Sequence, residues 1–231
     1  MSNTQKSIVS GMTVLSLVGI ICKIVGALYR IPLAWLIGDE GMGTYQLVFP
    51  TYNMLLTISS AGLPVAMSKL ISQHSALGHY NQVRRVYTTS RTIFLILGIS
   101  SAAFMMFGCK ILANALNQPG AWPAILCLGP CALLMGFLSA YRGFFQGQGN
   151  MRPTSNSQIL EAVFKLFVGL ALAYFIMKQT GSVAYAAGGA ILGVTVSCLV
   201  SSIYLYAQLR PAYRAMPTGG GETKTFGATA K

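Results

Sequence analysis

Lys23 and Arg30 fall inside an apolar run that starts at Ile8. A cation within hydrocarbon costs at least ~2.5 kcal/mol on insertion scales, so it is tolerated mainly where it faces other helices or a water-filled cavity. Ser16, Gly19, Lys23, Gly26 and Arg30 recur at alternating steps of three and four, which sets them on one face of a helix. That face is small, polar and cationic. About 10 Å of helix axis, two turns, separates Lys23 from Arg30, a spacing suited to an anionic head group such as a pyrophosphate. The plainer reading has Arg30 snorkelling to the membrane interface and Lys23 pairing with a carboxylate.

Asn53, Thr57 and Ser60 form a second polar stripe, continued by Pro64, that is expected to line the same interior. Helix-packing hydrogen bonds through small polar side chains are the alternative. Glu161 and Lys165 stand four apart with the acid first, the better order for a helical ion pair. They are therefore a candidate ion pair, with a proton or cation coupling site as the functional reading. Gly189, Gly193, Ser197 and Ser201 make a small-residue stripe, which reads most simply as a helix-packing face.

Other chemistries find little support. The five cysteines lie in or beside apolar runs, where cysteine behaves as a small buried hydrophobe, and no CxxC pair occurs. His74 and His79 have no acidic cluster beside them, so neither a metal site nor a cofactor is expected, and an intramembrane enzyme acting on polyprenyl substrates lacks its acid–base groups. Gly147 and Gly149 lie between two apolar runs, whereas a phosphate-cradling loop follows a strand. The net charge of +12 does not point to nucleic acid, because the basic residues flank apolar runs and do not cluster on a hydrated face.

The elements that must position these residues follow from composition. The chain is 54% apolar and 9% charged over 231 residues, too few charges to coat a water-soluble globule of that size. A membrane-spanning helix needs ~20 mostly apolar residues. Six such runs are expected, over residues 8–37, 45–68, 92–116, 122–141, 159–177 and 183–209, making residues 1–209 one all-α transmembrane unit. Lys23 and Arg30 occupy the place of a cleavage region, so the first run reads as a retained span and not a signal peptide. Pro32 is expected to kink it. Residues 38–44, 69–91 and 142–155 read as polar connections, Ser155 and Gln158 have capping-box spacing, and residues 210–231 read as a disordered polar tail.

Orientation follows from the excess of lysine and arginine in cytoplasmic loops. With the N-terminus inside, eleven basic residues (Lys6, Lys69, Arg84, Arg85, Arg91, Arg142, Arg152, Arg210, Arg214, Lys224, Lys231) are cytoplasmic and two (Lys110, Lys178) are external. Both termini are then cytoplasmic, while Asp39, Glu40, Trp35 and Trp122 lie at the outer face.

Three segments together resemble one family: KIVGALYRIPLAWLIGDEGMGTYQLVFPTYN from Lys23, SSAGLPVAMSKLISQH from Ser59, and YRGFFQGQGNMRPTSNSQILE from Tyr141. They are similar to the stage V sporulation protein B and MurJ-like branch of the MOP (multidrug, oligosaccharidyl-lipid, polysaccharide) exporter superfamily. The resemblance runs in order over nearly the whole chain before the tail. It implies a MATE-like fold of two six-helix lobes about a central cavity, this chain supplying the N-terminal lobe and a second lobe, absent from this sequence, completing it. It implies a multi-pass protein of the bacterial plasma membrane that flips a polyprenyl-pyrophosphate-linked oligosaccharide, such as the peptidoglycan precursor lipid II, by alternating access. Lys23 and Arg30 fall at about the positions of the family's cavity cations, which are thought to engage the diphosphate. Many MurJ-like proteins carry arginine on the second helix where this chain has about Thr57 and Ile58, so another undecaprenyl-linked sugar stays open.

Two rivals remain. A drug or cation antiporter of the same superfamily would need an acidic cavity, and intramembrane carboxylates are scarce here. A membrane subunit or scaffold that does not transport would need no cavity.

Overall fold

The computed structural model describes residues 3–60 and 62–216, with side chains from 13–50, 53 and 62–216. Its order is α1 (Asn3–Ser60), α2 (Leu63–Ala76), α3 (Tyr80–Phe107), α4 (Cys109–Ala115), a 3-10 turn (Pro119–Ala121), α5 (Trp122–Gly147), α6 (Arg152–Thr180) and α7 (Val183–Arg214). The architecture is all-helical.

Five helical segments are long and apolar enough to cross a bilayer, the first being the 38 residues Thr13–Pro50. Thirty-eight helical residues reach about 57 Å, nearly twice the ~30 Å of a hydrocarbon core. That segment reaches into the second expected span, and α1 as a whole, to Ser60, joins the first expected span to most of the second. The joint is Gly38, whose backbone (φ 63°, ψ −173°) leaves the helical region, a conformation open essentially to glycine. Pro32 lies inside helical backbone, so the break falls at the glycine and not at the proline.

The expected polar connections are shorter than composition suggested. Most of 69–91 is helical, in α2 and the start of α3, with only Leu77, Gly78 and His79 between them; α2 is held because Met67 and Ile71 are buried. Gly108 then interrupts the third expected span before α4. α5 runs on to Gly147 because Phe144 and Phe145 are buried there. α6 begins at Arg152 with Pro153 in its first turn, so the Ser155–Gln158 spacing does not mark its start: Ser155 sits inside the helix with its hydroxyl buried and unpartnered. At the other terminus α7 extends to Arg214, while residues 217–231 of the expected tail lie outside the described residues.

The core is built on α5 and α7. Leu128, Cys131, Leu138, Phe144, Ile191 and Leu205 are buried along them. The small-residue stripe of α7 packs against α6, with Ser197 and Ser201 buried and the Ser201 hydroxyl donating to the Ser157 carbonyl at 3.0 Å. Much of α1, α3 and α6 instead presents apolar side chains outward, including Ile24, Leu28, Ile96 and Phe167.

The helices alternate between two ends. At one, Thr44 donates to Gln118 at 3.1 Å and Trp122 meets Tyr185 edge-on, with Asp39 and Glu40 nearby in sequence. At the other, Arg84 donates to the Met216 carbonyl at 2.9 Å and Gln148 to the Met216 sulfur at 3.5 Å, which draws the α2–α3 turn, the α5–α6 turn and the end of α7 together. That second end gathers Arg84, Arg85, Arg91, Arg142, Arg152, Arg210 and Arg214.

Candidate functional site

The polar face of α1 opens onto α6. A cleft of about 280 Å³ is lined by Lys23, Gly26, Ala27 and Arg30, by Tyr45 and Phe49 from beyond the Gly38 break, and by Lys165 from α6. A second cleft of about 310 Å³ adjoins it, sharing Gly26 and Lys165 and extending past Gly19 and Cys22 to Arg142, Gln158 and Glu161. Gly26 leaves open space where a side chain would stand, which keeps the two continuous.

Lys23 and Arg30 are both exposed into this space, two turns apart on their helix. Lys165 joins them from the opposite wall. Its ammonium lies 4.4 Å from the centroid of the Phe49 ring and 5.5 Å from that of Tyr29. Aromatic faces attract a cation without neutralising it, so its charge stays available to a ligand. Tyr29 is fixed in turn: it is buried, tilted against Tyr45, and donates to the Ala190 carbonyl at 3.4 Å.

Glu161 does not pair with Lys165. Its carboxylate accepts from the Arg142 guanidinium at 2.7 Å, and Arg142 also donates to the Ser157 hydroxyl at 3.1 Å. The tertiary contact wins over the i, i+4 spacing because a guanidinium fork offers directed donors that an ammonium lacks. Arg142 and Glu161 offset one another, so Lys23, Arg30 and Lys165 leave the clefts net positive.

Of the other expected lining residues, Ser16 and Asn53 are exposed and line neither cleft. The side chains of Thr57 and Ser60 lie outside the described residues. The Gly-rich segment around Gly147 and Gly149 is a turn between α5 and α6, and among the described residues no three potential metal ligands come together. His74 and His79 stand with rings 6.3 Å apart. Three cations around a partly aromatic hollow suit a compact, multiply charged anion: the arginine can bind phosphate oxygens through paired N–H groups, and the lysines act as point charges.

Residues 8–224 match the family described as Polysaccharide biosynthesis protein. The chain is 30% identical over 204 residues to stage V sporulation protein B of Bacillus subtilis, covering 87% of this chain and 39% of that protein. It is 26% identical over 230 residues to the lipid II flippase MurJ of the same organism, covering 94% of this chain and 42% of MurJ. Among solved structures, an outward-facing multidrug resistance MATE family transporter of the MOP superfamily superposes with a TM-score of 0.72 at 21% identity, over 94% of this chain and 49% of that one. A MOP superfamily transporter from Pyrococcus furiosus superposes at 0.71 and 20% identity, over 94% and 49%. The chain thus spans about two fifths of the length of these relatives and about half of these structures.

Proposed function

The chain belongs to the polysaccharide biosynthesis protein family, and from that premise we propose that it is the N-terminal half of a flippase for a polyprenyl-pyrophosphate-linked oligosaccharide. The lipid II named in its MurJ relative is one such substrate. The observation that carries the reading is the meeting of Lys23, Arg30 and Lys165 around one cleft between α1 and α6.

The three cations hold the pyrophosphate, and Tyr45 and Phe49 bound the space beside it. The exposed apolar face of α1, with Ile20, Ile24, Leu28 and Ile31, stays in contact with lipid or with a second lobe. Transport by alternating access requires that second lobe, in keeping with a chain that spans only part of its relatives. The protein resides in the bacterial plasma membrane with the arginine-rich end cytoplasmic, as the positive-inside rule favours. A drug or cation antiporter would want a free carboxylate in the cleft, and Glu161 is held by Arg142.

Binding of undecaprenyl pyrophosphate to the full chain in nanodiscs tests this directly, with undecaprenyl monophosphate as comparison. The pyrophosphate binds more tightly, and Arg30→Gln weakens it by about tenfold, the loss of one charge-assisted contact of ~1.5 kcal/mol. Equal affinity for both lipids, or an Arg30→Gln protein that binds as the parent does, would sink the assignment and leave a non-transporting scaffold as the better reading.

A further inference from the structure

At the arginine-rich end, α3 and α7 each pack on α5 and leave a cleft of about 210 Å³ between them. Thr88 and Arg91 of α3 line one side, and Tyr206, Arg210, Tyr213 and Arg214 of α7 the other. The walls are held in place. Tyr87, also in the lining, is buried, meets Phe144 of α5 edge-on at 5.1 Å between centroids and tilts against Tyr213 at 5.5 Å. Arg84 donates to the Tyr213 and Met216 carbonyls and lies 5.2 Å from the Tyr213 ring centroid, fixing the end of α7.

Arg84 is thereby committed to structure, whereas Arg91, which hydrogen-bonds Tyr87 in the cleft wall, and Arg210 and Arg214 are exposed and, among the described residues, have no carboxylate partner. Among the described residues, no carboxylate stands in the cleft lining. Three guanidinium groups converging with tyrosine hydroxyls form a receptor for an oxyanion, and arginine matches phosphate oxygens in geometry as well as charge.

The face of α7 that leads to this cleft indicates which oxyanion. Leu199, Ile203, Tyr206, Arg210 and Arg214 recur at steps of three and four, so they form one stripe. Leu199, Ile203 and Tyr206 are exposed, and the stripe turns cationic only at its end. From Leu199 to Arg210 it runs about 16 Å, close to the ~15 Å depth of one hydrocarbon leaflet. Across the cleft, Arg91 is followed on α3 at steps of four by Leu95 and the exposed Ile99. A water-borne phosphate would use the arginines and leave the apolar part of the stripe idle. A phospholipid uses both.

We propose that the α3–α7 cleft binds the phosphate-bearing headgroup of an anionic phospholipid, with acyl chains lying along Ile203 and Leu199. The site is independent of the clefts that α1 and α6 build: no lining residue is shared. A headgroup there would tie α7, and through it the packed α6, to one leaflet.

Native mass spectrometry of the full chain in detergent, titrated with phosphatidylglycerol or phosphatidylcholine, reads this out. The parent retains phosphatidylglycerol more tightly, and the triple variant Arg91→Gln, Arg210→Gln, Arg214→Gln weakens that retention by about tenfold or more. The pair Lys110→Gln, Lys178→Gln, which removes two positive charges at the opposite end, leaves it unchanged. Arg210→Glu alone, at an exposed position near the helix end, gives a weakening in the same direction should the triple variant not fold. Retention of phosphatidylglycerol at parental strength in Arg210→Glu, or equal retention of the two lipids by the parent, overturns the proposal. Displacement of phosphatidylglycerol by millimolar inorganic phosphate would assign the cleft to the free anion and overturn the lipid assignment.

Discussion

Arg142 of α5 and Glu161 of α6 are joined by a 2.7 Å ion pair beneath the cationic cleft, with side chains 16% and 26% exposed. The two helices have few other contacts with each other, so this pair, with the Arg142–Ser157 hydrogen bond, is their main polar tie. A half-buried charge that loses its partner keeps its desolvation cost. Arg142→Leu is therefore expected to destabilise by about 2 kcal/mol and to lower Tm by roughly 4–8 °C. Glu161→Gln, which keeps an acceptor for the guanidinium, costs less. The double variant recovers most of the Arg142→Leu loss; additive losses in thermal unfolding would show that the two residues do not act as a pair.

Gly193 of α7 packs directly against the backbone of Gly169 of α6. A methyl group at Gly193 would run into the Gly169 backbone, meeting its nitrogen at 2.5 Å. Backbone cannot step aside as a flexible side chain can, so Gly193→Ala is expected to cost about 1–3 kcal/mol and to loosen the α6–α7 pair. Gly26→Ala, which meets nothing within 4 Å, leaves Tm nearly unchanged and serves as the comparison.

Lys165 separates folding from function. Its ammonium lies against Phe49 and Tyr29 and, among the described residues, has no salt bridge to a carboxylate, and replacing such a group by an apolar one of similar size is often neutral or stabilising. Lys165→Met should hold or raise Tm while weakening undecaprenyl pyrophosphate binding by about tenfold. A variant with parental affinity would remove Lys165 from the site, and a large drop in Tm would make its role structural.

Gly38 tests the break in α1. Beyond its own stretch of backbone, no described atom lies within 4 Å of the place a Cβ would take, so the cost of Gly38→Ala comes from the backbone conformation, about 1–3 kcal/mol. An alanine variant as stable as the parent, measured by denaturation in detergent, would mean that the helix does not need to break there.

The cationic face of α1 was legible because helical periodicity is a local property: Lys23, Gly26 and Arg30 share a face whatever surrounds them. The partners of that face were not legible. Spacing paired Glu161 with Lys165, yet the carboxylate went to Arg142, which read as a loop residue because glycines follow it; the buried Phe144 and Phe145 that keep Arg142 inside α5 were the available signal. Segment 69–91 shows the same limit. Its polarity suggested a connection, but Met67, Ile71 and Val83 are buried at helical positions and draw it into α2 and α3.

Composition and apolar run length determined by themselves that this protein is a helical membrane protein, because so few charges cannot cover its surface in water and hydrocarbon demands internally satisfied backbone. They likewise placed two cations on one face of the first helix. Only the tertiary structure decided that a third cation faces them from α6, that the carboxylate beside it is taken, and that three arginines of α3 and α7 converge at the other end of an apolar stripe. The physical reason is range: periodicity acts within a helix, whereas a site for an anion requires charges from different helices, and helix packing alone brings those within reach of one another.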